Sequence, residues 1–135
     1  MRYLSDEWVT ALGAALAADP DLAATCPNPP LVIEQTIRDG TEGTVVYHLV
    51  LDRRAIRAEP GAAESPTMRF TLDLVTAVAI TRGELSARAA FMEGRLRLDG
   101  DTQAILVAAP LLDKLHDPLV SLRERTEFPT LRRPG

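Results

Sequence analysis

Residues 31–52, "LVIEQTIRDGTEGTVVYHLVLD", constrain this chain more than any other stretch. In 31–40, Leu31, Ile33 and Ile37 alternate with Val32, Glu34, Thr36 and Arg38, which is the two-residue period of a strand. In 44–52, Val45, Tyr47, Leu49 and Leu51 share one face, and Val46, His48 and Val50 share the other. Between them "DGTEG" has the composition of a tight turn. A turn this short joins antiparallel neighbours, so the two segments form a hairpin. Both faces of the second strand are largely apolar, which predicts a central place in the sheet.

The rest of the chain builds around that hairpin. "RAIRAE" (54–59) predicts a charged edge strand, and "MRFTLDL" (68–74) returns to strict alternation. "VTAVAITRGEL" predicts a short helix stopped by Gly83, and Ser86 can cap a second one, "ARAAFME", stopped by Gly94. "RLRLD" (95–99) predicts a fifth strand. Some twenty residues separate it from the fourth, a length that permits a crossover and parallel pairing. "SDEWVTALGAALAA" (5–18) predicts an opening helix, capped by Ser5, with Trp8, Leu12 and Leu16 on one face. "ADPDLAATCPNPP" is read as ending in a proline-rich loop. Asp101 can cap a last helix running to about Leu115, which Pro110 should kink or split. The segment from 117 onward, with Pro118, Pro129 and Pro134, is expected to be irregular. The class is therefore α+β, a mixed sheet with helices over one face, in one domain over 1–118 followed by a tail over 119–135.

Composition excludes several functions. The net charge is −4, and no basic stripe offers itself to nucleic acid. "RERTEFPTLRR" (123–133) carries four arginines without interleaved aromatics and reads as solvated. Cys26 is the sole cysteine, so no internal disulfide forms and a reducing cytoplasm fits. No apolar run approaches the ~20 residues of a membrane span, and "MRYLSDEW" lacks the apolar stretch of a secretory signal. A single lysine, Lys114, among many arginines and alanines points to a GC-rich bacterial source.

Reactive groups are sparse. His48 sits in mid-strand and His116 follows the last expected helix, where it would face the negative helix end. Neither has a His or Cys companion at metal spacing, so no metal and no cofactor is expected. No glycine pattern cradles phosphate, and "DGD" at 99–101 is a turn with a helix cap. Carboxylates such as Asp73, Glu84, Glu93, Asp99 and Asp101 have no spacing that forces two together. Cys26 reads as a loop residue, not a nucleophile.

"MRFTLDL…GEL…AFMEGRLRLDGD…LDKL" resembles the sterol carrier protein type 2, or nonspecific lipid-transfer, domain. The matching pattern is Phe91, Gly94, Leu96, Leu98, Gly100 and Asp101, with "YHLVLD" and "PG" upstream. The likeness spans about residues 5–116. Arg95 stands where the family commonly has lysine, and Pro110 interrupts the last helix. The resemblance implies a five-stranded sheet under helices and an apolar cavity for fatty acids, acyl-CoA, phospholipids or sterols, with no catalytic residue. Gly83, Gly94 and Gly100 would fold short elements over the sheet while Phe91 and Met92 turn inward. The expected lining is Trp8, Leu12, Leu49, Phe70, Leu85, Phe91, Met92, Leu96, Leu98, Leu106 and Leu112. Transient membrane contact would accompany loading. Two other readings compete. Leu119, Leu122 and Phe128 form an apolar strip that could make the tail a homodimer contact. His48 or a carboxylate could instead act as a base in an enzyme cavity.

Overall fold

The computed structural model describes residues 1–27, 29–40, 43–101, 103–104, 106, 110–111 and 114–129. Five strands form one sheet: β1 (Leu31–Gly40), β2 (Gly43–Leu51), β3 (Ile56–Pro60), β4 (Met68–Asp73) and β5 (Leu96–Gly100). Their spatial order is β3-β2-β1-β4-β5. The hairpin pairs as expected, with Ile33 opposite Leu49 and Gln35 opposite Tyr47. β3 is an edge strand, antiparallel to β2. β2 is interior, but the central strand is β1. The half-buried Val46 and Val50 on the far face of β2 reflect partial cover by a loop, not the middle of the sheet.

The parallel pairing falls elsewhere than expected. It joins β1 to β4, with Ile33 opposite Met68, whereas β4 and β5 are antiparallel, with Leu72 opposite Leu96. Helices α3 (Leu74–Thr81) and α4 (Ala87–Met92) account for this. At 1.5 Å per residue they span about 12 and 9 Å, and they return the chain to the end of the sheet it left. Twenty residues of helix thus make a detour, not a crossover. The true crossover is the helix-free run 61–67, from the β3 edge past β2 and β1.

That run lies on the polar face. Gly61 N donates to Val46 O at 2.8 Å, and Thr67 N donates to Val32 O at 2.8 Å. Midway, Ala63 N donates to Glu34 Oε1 at 2.9 Å. Glu34 is only 7% exposed, and its Oε2 accepts from Arg69 Nε at 3.0 Å. A buried carboxylate is costly unless its lone pairs are used, and here both oxygens are. His48 joins the same arrangement: Nδ1 lies 2.9 Å from Gly61 O and Nε2 3.2 Å from Glu59 Oε2.

The apolar face carries the helices. α1 (Asp6–Ala17) begins where Ser5 Oγ accepts from Trp8 N at 3.2 Å, with Asp6 and Glu7 in its first turn. It buries Trp8, Val9, Leu12 and Leu16 and lies against β3. Gly13 permits that approach, since a Cβ there would stand 2.6 Å from Ala58 N. α2 (Pro20–Thr25) occupies a stretch read as leading into a loop. Its signals are present: Asp19 Oδ1 accepts from Asp21 N at 3.0 Å, and proline holds the first helical position.

The C-terminal region departs most from expectation. Instead of an irregular tail there is α5 (His116–Glu124), and the boundary placed at 118 falls inside it. Pro118 does not prevent this, because the first turn of a helix needs no proline N–H. His116 opens the helix; its side chain lies outside the described residues. Leu122 is 0% exposed and α5 packs on α1. Trp8 Nε1 donates to Thr126 Oγ1 at 3.1 Å, Tyr3 N to Glu127 O at 3.0 Å, and Glu127 N to Met1 O at 2.6 Å. Phe128 packs on Tyr3 with ring centroids 5.2 Å apart. Within the apolar strip, Leu122 is buried, and Leu119 and Phe128 pack partly against the core of the same chain. Residues 103, 104, 106, 110, 111 and 114 are helical after the Asp101 cap, whose Oδ1 accepts from Gln103 N at 2.9 Å. The kink expected at Pro110 lies outside what these residues describe.

Candidate functional site

Between the apolar face and its helices lies a cavity of about 150 Å3. Its floor is the sheet: Gln35 and Ile37 from β1, Tyr47 and Leu49 from β2, Phe70 and Leu72 from β4, and Leu96 from β5. Trp8, Leu12 and Leu16 of α1 form one wall. Ala77, Ile80 and Thr81 of α3, with Leu85, Ser86 and Ala87 at the start of α4, form the other. Leu115 and Leu119 complete it. Local chemistry fixes each wall. Asp73 Oδ1 caps α3 by accepting from Thr76 N at 2.8 Å, and Ser86 Oγ caps α4 by accepting from Ala89 N at 3.0 Å. Burial opposes ionisation of Asp73, but the bonds from Thr76 outweigh it, with Arg95 and Arg38 adding, so its pKa is lowered.

Six of the expected lining residues meet at this cavity: Trp8, Leu12, Leu49, Phe70, Leu85 and Leu96. Leu98 is half-buried against the core beside it. Phe91, Met92 and Leu106 are 48%, 78% and 65% exposed. Leu112 lies outside the described residues. Phe91 and Met92 do not turn inward because the six-residue α4 buries Ala90 instead. At 3.6 residues per turn, the next two positions stand about 100° and 200° away from it. Gly94, at φ +75°, does stop this helix as expected, but the corner it makes seats a methyl group on the sheet, not a ring.

The other lining residues fall outside the expected lining, among them every polar one: Tyr3, Gln35, Tyr47, Thr81 and Ser86. Gln35 had a signal, as the polar break in the stripe Leu31, Ile33, Ile37. Tyr3 O–H donates to Thr81 Oγ1 at 2.9 Å, and Thr81 donates to Ala77 O at 2.9 Å. Trp8 stands edge-on to both tyrosines, with centroids 4.8 Å from Tyr3 and 6.1 Å from Tyr47. Burial raises the pKa of both phenols, so they are neutral donors at physiological pH. Among the described residues, no arginine, lysine, histidine or carboxylate lines the cavity. His48, Glu34 and Arg69 belong to the opposite face.

Elsewhere the reactive groups are engaged. Cys26 is buried, its thiol donates to Leu22 O at 3.4 Å, and burial, with the nearby Asp52, pushes its pKa up. A raised thiol pKa disfavours the nucleophilic thiolate. Among the described residues, no three His, Cys, Asp or Glu side chains group to hold a metal ion, and no helix is long and apolar enough to cross a membrane.

Residues 16–113 match the sequence profile of the SCP-2 sterol transfer family. No curated protein matches the chain significantly. Among solved structures, a conserved protein of Thermus thermophilus described as possibly a sterol carrier protein superposes with TM-score 0.72 at 22% identity, covering 88% of either chain. The sterol carrier protein domain 2 of Helicoverpa armigera gives 0.65 at 17% identity, covering 82% of this chain and 86% of that one. Palmitated SCP2L2 from Aedes aegypti gives 0.56 at 25% identity, covering 80% of this chain and 94% of that one.

Proposed function

Because the chain belongs to the SCP-2 sterol transfer family, we propose that its cavity binds a hydrophobic molecule and carries it without catalysis. The observation that supports this most is the lining: aromatic and aliphatic side chains around a void, with no charged group among the described residues. Such a site gains affinity from buried methylenes, at ~0.8 kcal/mol each, and needs no reactive side chain. A fatty acid, acyl-CoA, phospholipid or sterol-like molecule fits that chemistry. The palmitate carried by the Aedes aegypti relative favours an acyl chain.

Size sets a condition. A dry void of about 150 Å3 accommodates a benzene-sized guest. A long chain therefore requires a wall to part. The wall at α4 suits this role, since only Ala90 of that helix is buried. Phe91 and Met92, exposed on the same helix, would contact a bilayer while a lipid passes. An enzymatic role has less support, because the His48 ring bonds on the far side of the sheet.

The test is denaturing mass spectrometry of extracts from the purified protein, with titration by a fluorescent fatty acid. Co-extracted lipid and saturable, displaceable fluorescence are expected. A lipid-free protein that neither binds nor releases the probe would end this reading.

A further inference from the structure

Two polar side chains sit in the floor of the cavity, and their position restricts what can lie there. Gln35 and Tyr47 are register partners on adjacent antiparallel strands, and both point to the apolar face. Directly opposed residues place their Cβ atoms about 4.5–5.5 Å apart, so the carboxamide and the phenol start from neighbouring points of the floor. Tyr47 is only 5% exposed. Among the described residues, neither its hydroxyl nor the Gln35 carboxamide has a hydrogen-bond partner. No sealed side-chain nitrogen or oxygen lacks a partner among the described residues, so these groups keep accessible surface, and the cavity is where they line it. A ligand group that bonds to them supplies the partner that the protein does not, and is held in one orientation by doing so.

The charge of that ligand group follows from its surroundings. No cationic side chain among the described residues lines the cavity, and burial keeps Tyr47 neutral. An ionised carboxylate or phosphate on the floor would lose its hydration with no counter-charge. A neutral hydroxyl or carbonyl would not. It could accept from the Tyr47 O–H and the Gln35 amide, and a hydroxyl could also donate to the Gln35 carbonyl.

We propose that Gln35 and Tyr47 form a polar subsite that seats the neutral hydroxyl or carbonyl of an otherwise apolar ligand on the sheet floor, while ionised ends stay in contact with water. This rests on the lipid-binding reading and adds an orientation and a preference to it. The subsite favours long-chain alcohols and ketones over alkanes of the same length, and it leaves fatty-acid carboxylates untouched.

The experiment is displacement of a fluorescent fatty acid by 1-dodecanol, 2-dodecanone, dodecane and dodecanoate at pH 8, with wild type, Gln35→Leu, Tyr47→Phe and the double variant. Circular dichroism and the melting temperature confirm folding; Tyr47→Phe keeps the ring and serves if Gln35→Leu fails to fold. Each single change should weaken dodecanol and dodecanone by about 3- to 10-fold, and leave dodecane and dodecanoate within about 2-fold. If all four ligands respond alike, the subsite does not exist, although the cavity still binds lipid. If dodecanoate loses as much as dodecanol, the floor takes ionised groups and the preference is wrong. If the wild type binds no fluorescent fatty acid, the lipid-binding reading and the subsite fall together.

Discussion

Replacing Glu34 by Gln tests how the sheet holds its crossover. The carboxylate has two protein partners, Ala63 N at 2.9 Å and Arg69 Nε at 3.0 Å. Both are donors. A carboxamide of the same shape offers one acceptor and one donor, so in either orientation its NH2 group faces a donor. The Arg69 side chain is largely exposed, and that pair is screened to at most about 1 kcal/mol. The Ala63 bond is part-buried and charge-assisted, in the class contributing about 1.5–3 kcal/mol. Losing one bond fully, and the charge from the other, gives an expected cost of about 2–3 kcal/mol. For a domain of this size, each kcal/mol lowers the melting temperature by about 3–5 °C, so a drop of about 6–15 °C follows. Calorimetry measures the total. Amide exchange at Ala63 locates it, since that proton should exchange at least about tenfold faster in the variant. A melting temperature within about 2 °C of wild type, with unchanged protection at Ala63, would refute the view that Glu34 pins the crossover run.

Other substitutions probe the helical layer. Leu122→Ala, at a fully buried site, should cost about 2.7–5 kcal/mol in chemical denaturation, as core leucine truncations do. Phe91→Ala should cost under about 1.5 kcal/mol in the same assay, because the ring is half exposed and leaves no sealed void. Asp73→Ala removes the cap of α3 and should cost about 1 kcal/mol at pH 7. The folded pKa of Asp73 is depressed, so its contribution is complete above the ordinary aspartate range near 3.9 and fades as pH falls through the lowered value. Melting curves of wild type and Asp73→Ala should therefore be fully separated above the ordinary aspartate range and draw together as pH falls through the lowered value.

The strands were legible because their alternation is local and strict. Caps at Ser5, Asp73 and Ser86 and the stops at Gly83 and Gly94 are local in the same way, since each acts within one turn of helix. What escaped depends on partners distant in sequence. The antiparallel course of β5 depends on how α3 and α4 fold back, which no residue count encodes. Leu119, Leu122 and Phe128 read as a free apolar strip because their partners on α1 and at Tyr3 lie about a hundred residues or more earlier. Phe91 was misplaced because helical phase in a six-residue element depends on which residue docks, and small Ala90 docks closest. Within the site, apolar lining follows from strand and helix phase, and Trp8, Leu12, Leu49, Phe70, Leu85 and Leu96 were legible in that way. The polar floor escaped because Gln35 and Tyr47 become neighbours only through cross-strand register.

The bond from Trp8 to Thr126 has a consequence for synthesis. The two residues are separated by 118 positions. At 5–20 residues per second, a ribosome needs roughly 6–24 s between them. Throughout that time the first helix has the sheet beneath it but no α5 to rest on, and the side of Trp8 that meets Thr126 stays uncovered. The sheet can pair as it emerges, strand by strand, but the layer above it closes only when the last segment arrives. Since Trp8 is the sole tryptophan, its fluorescence records that final closure directly, on the ribosome or in a refolding mixture.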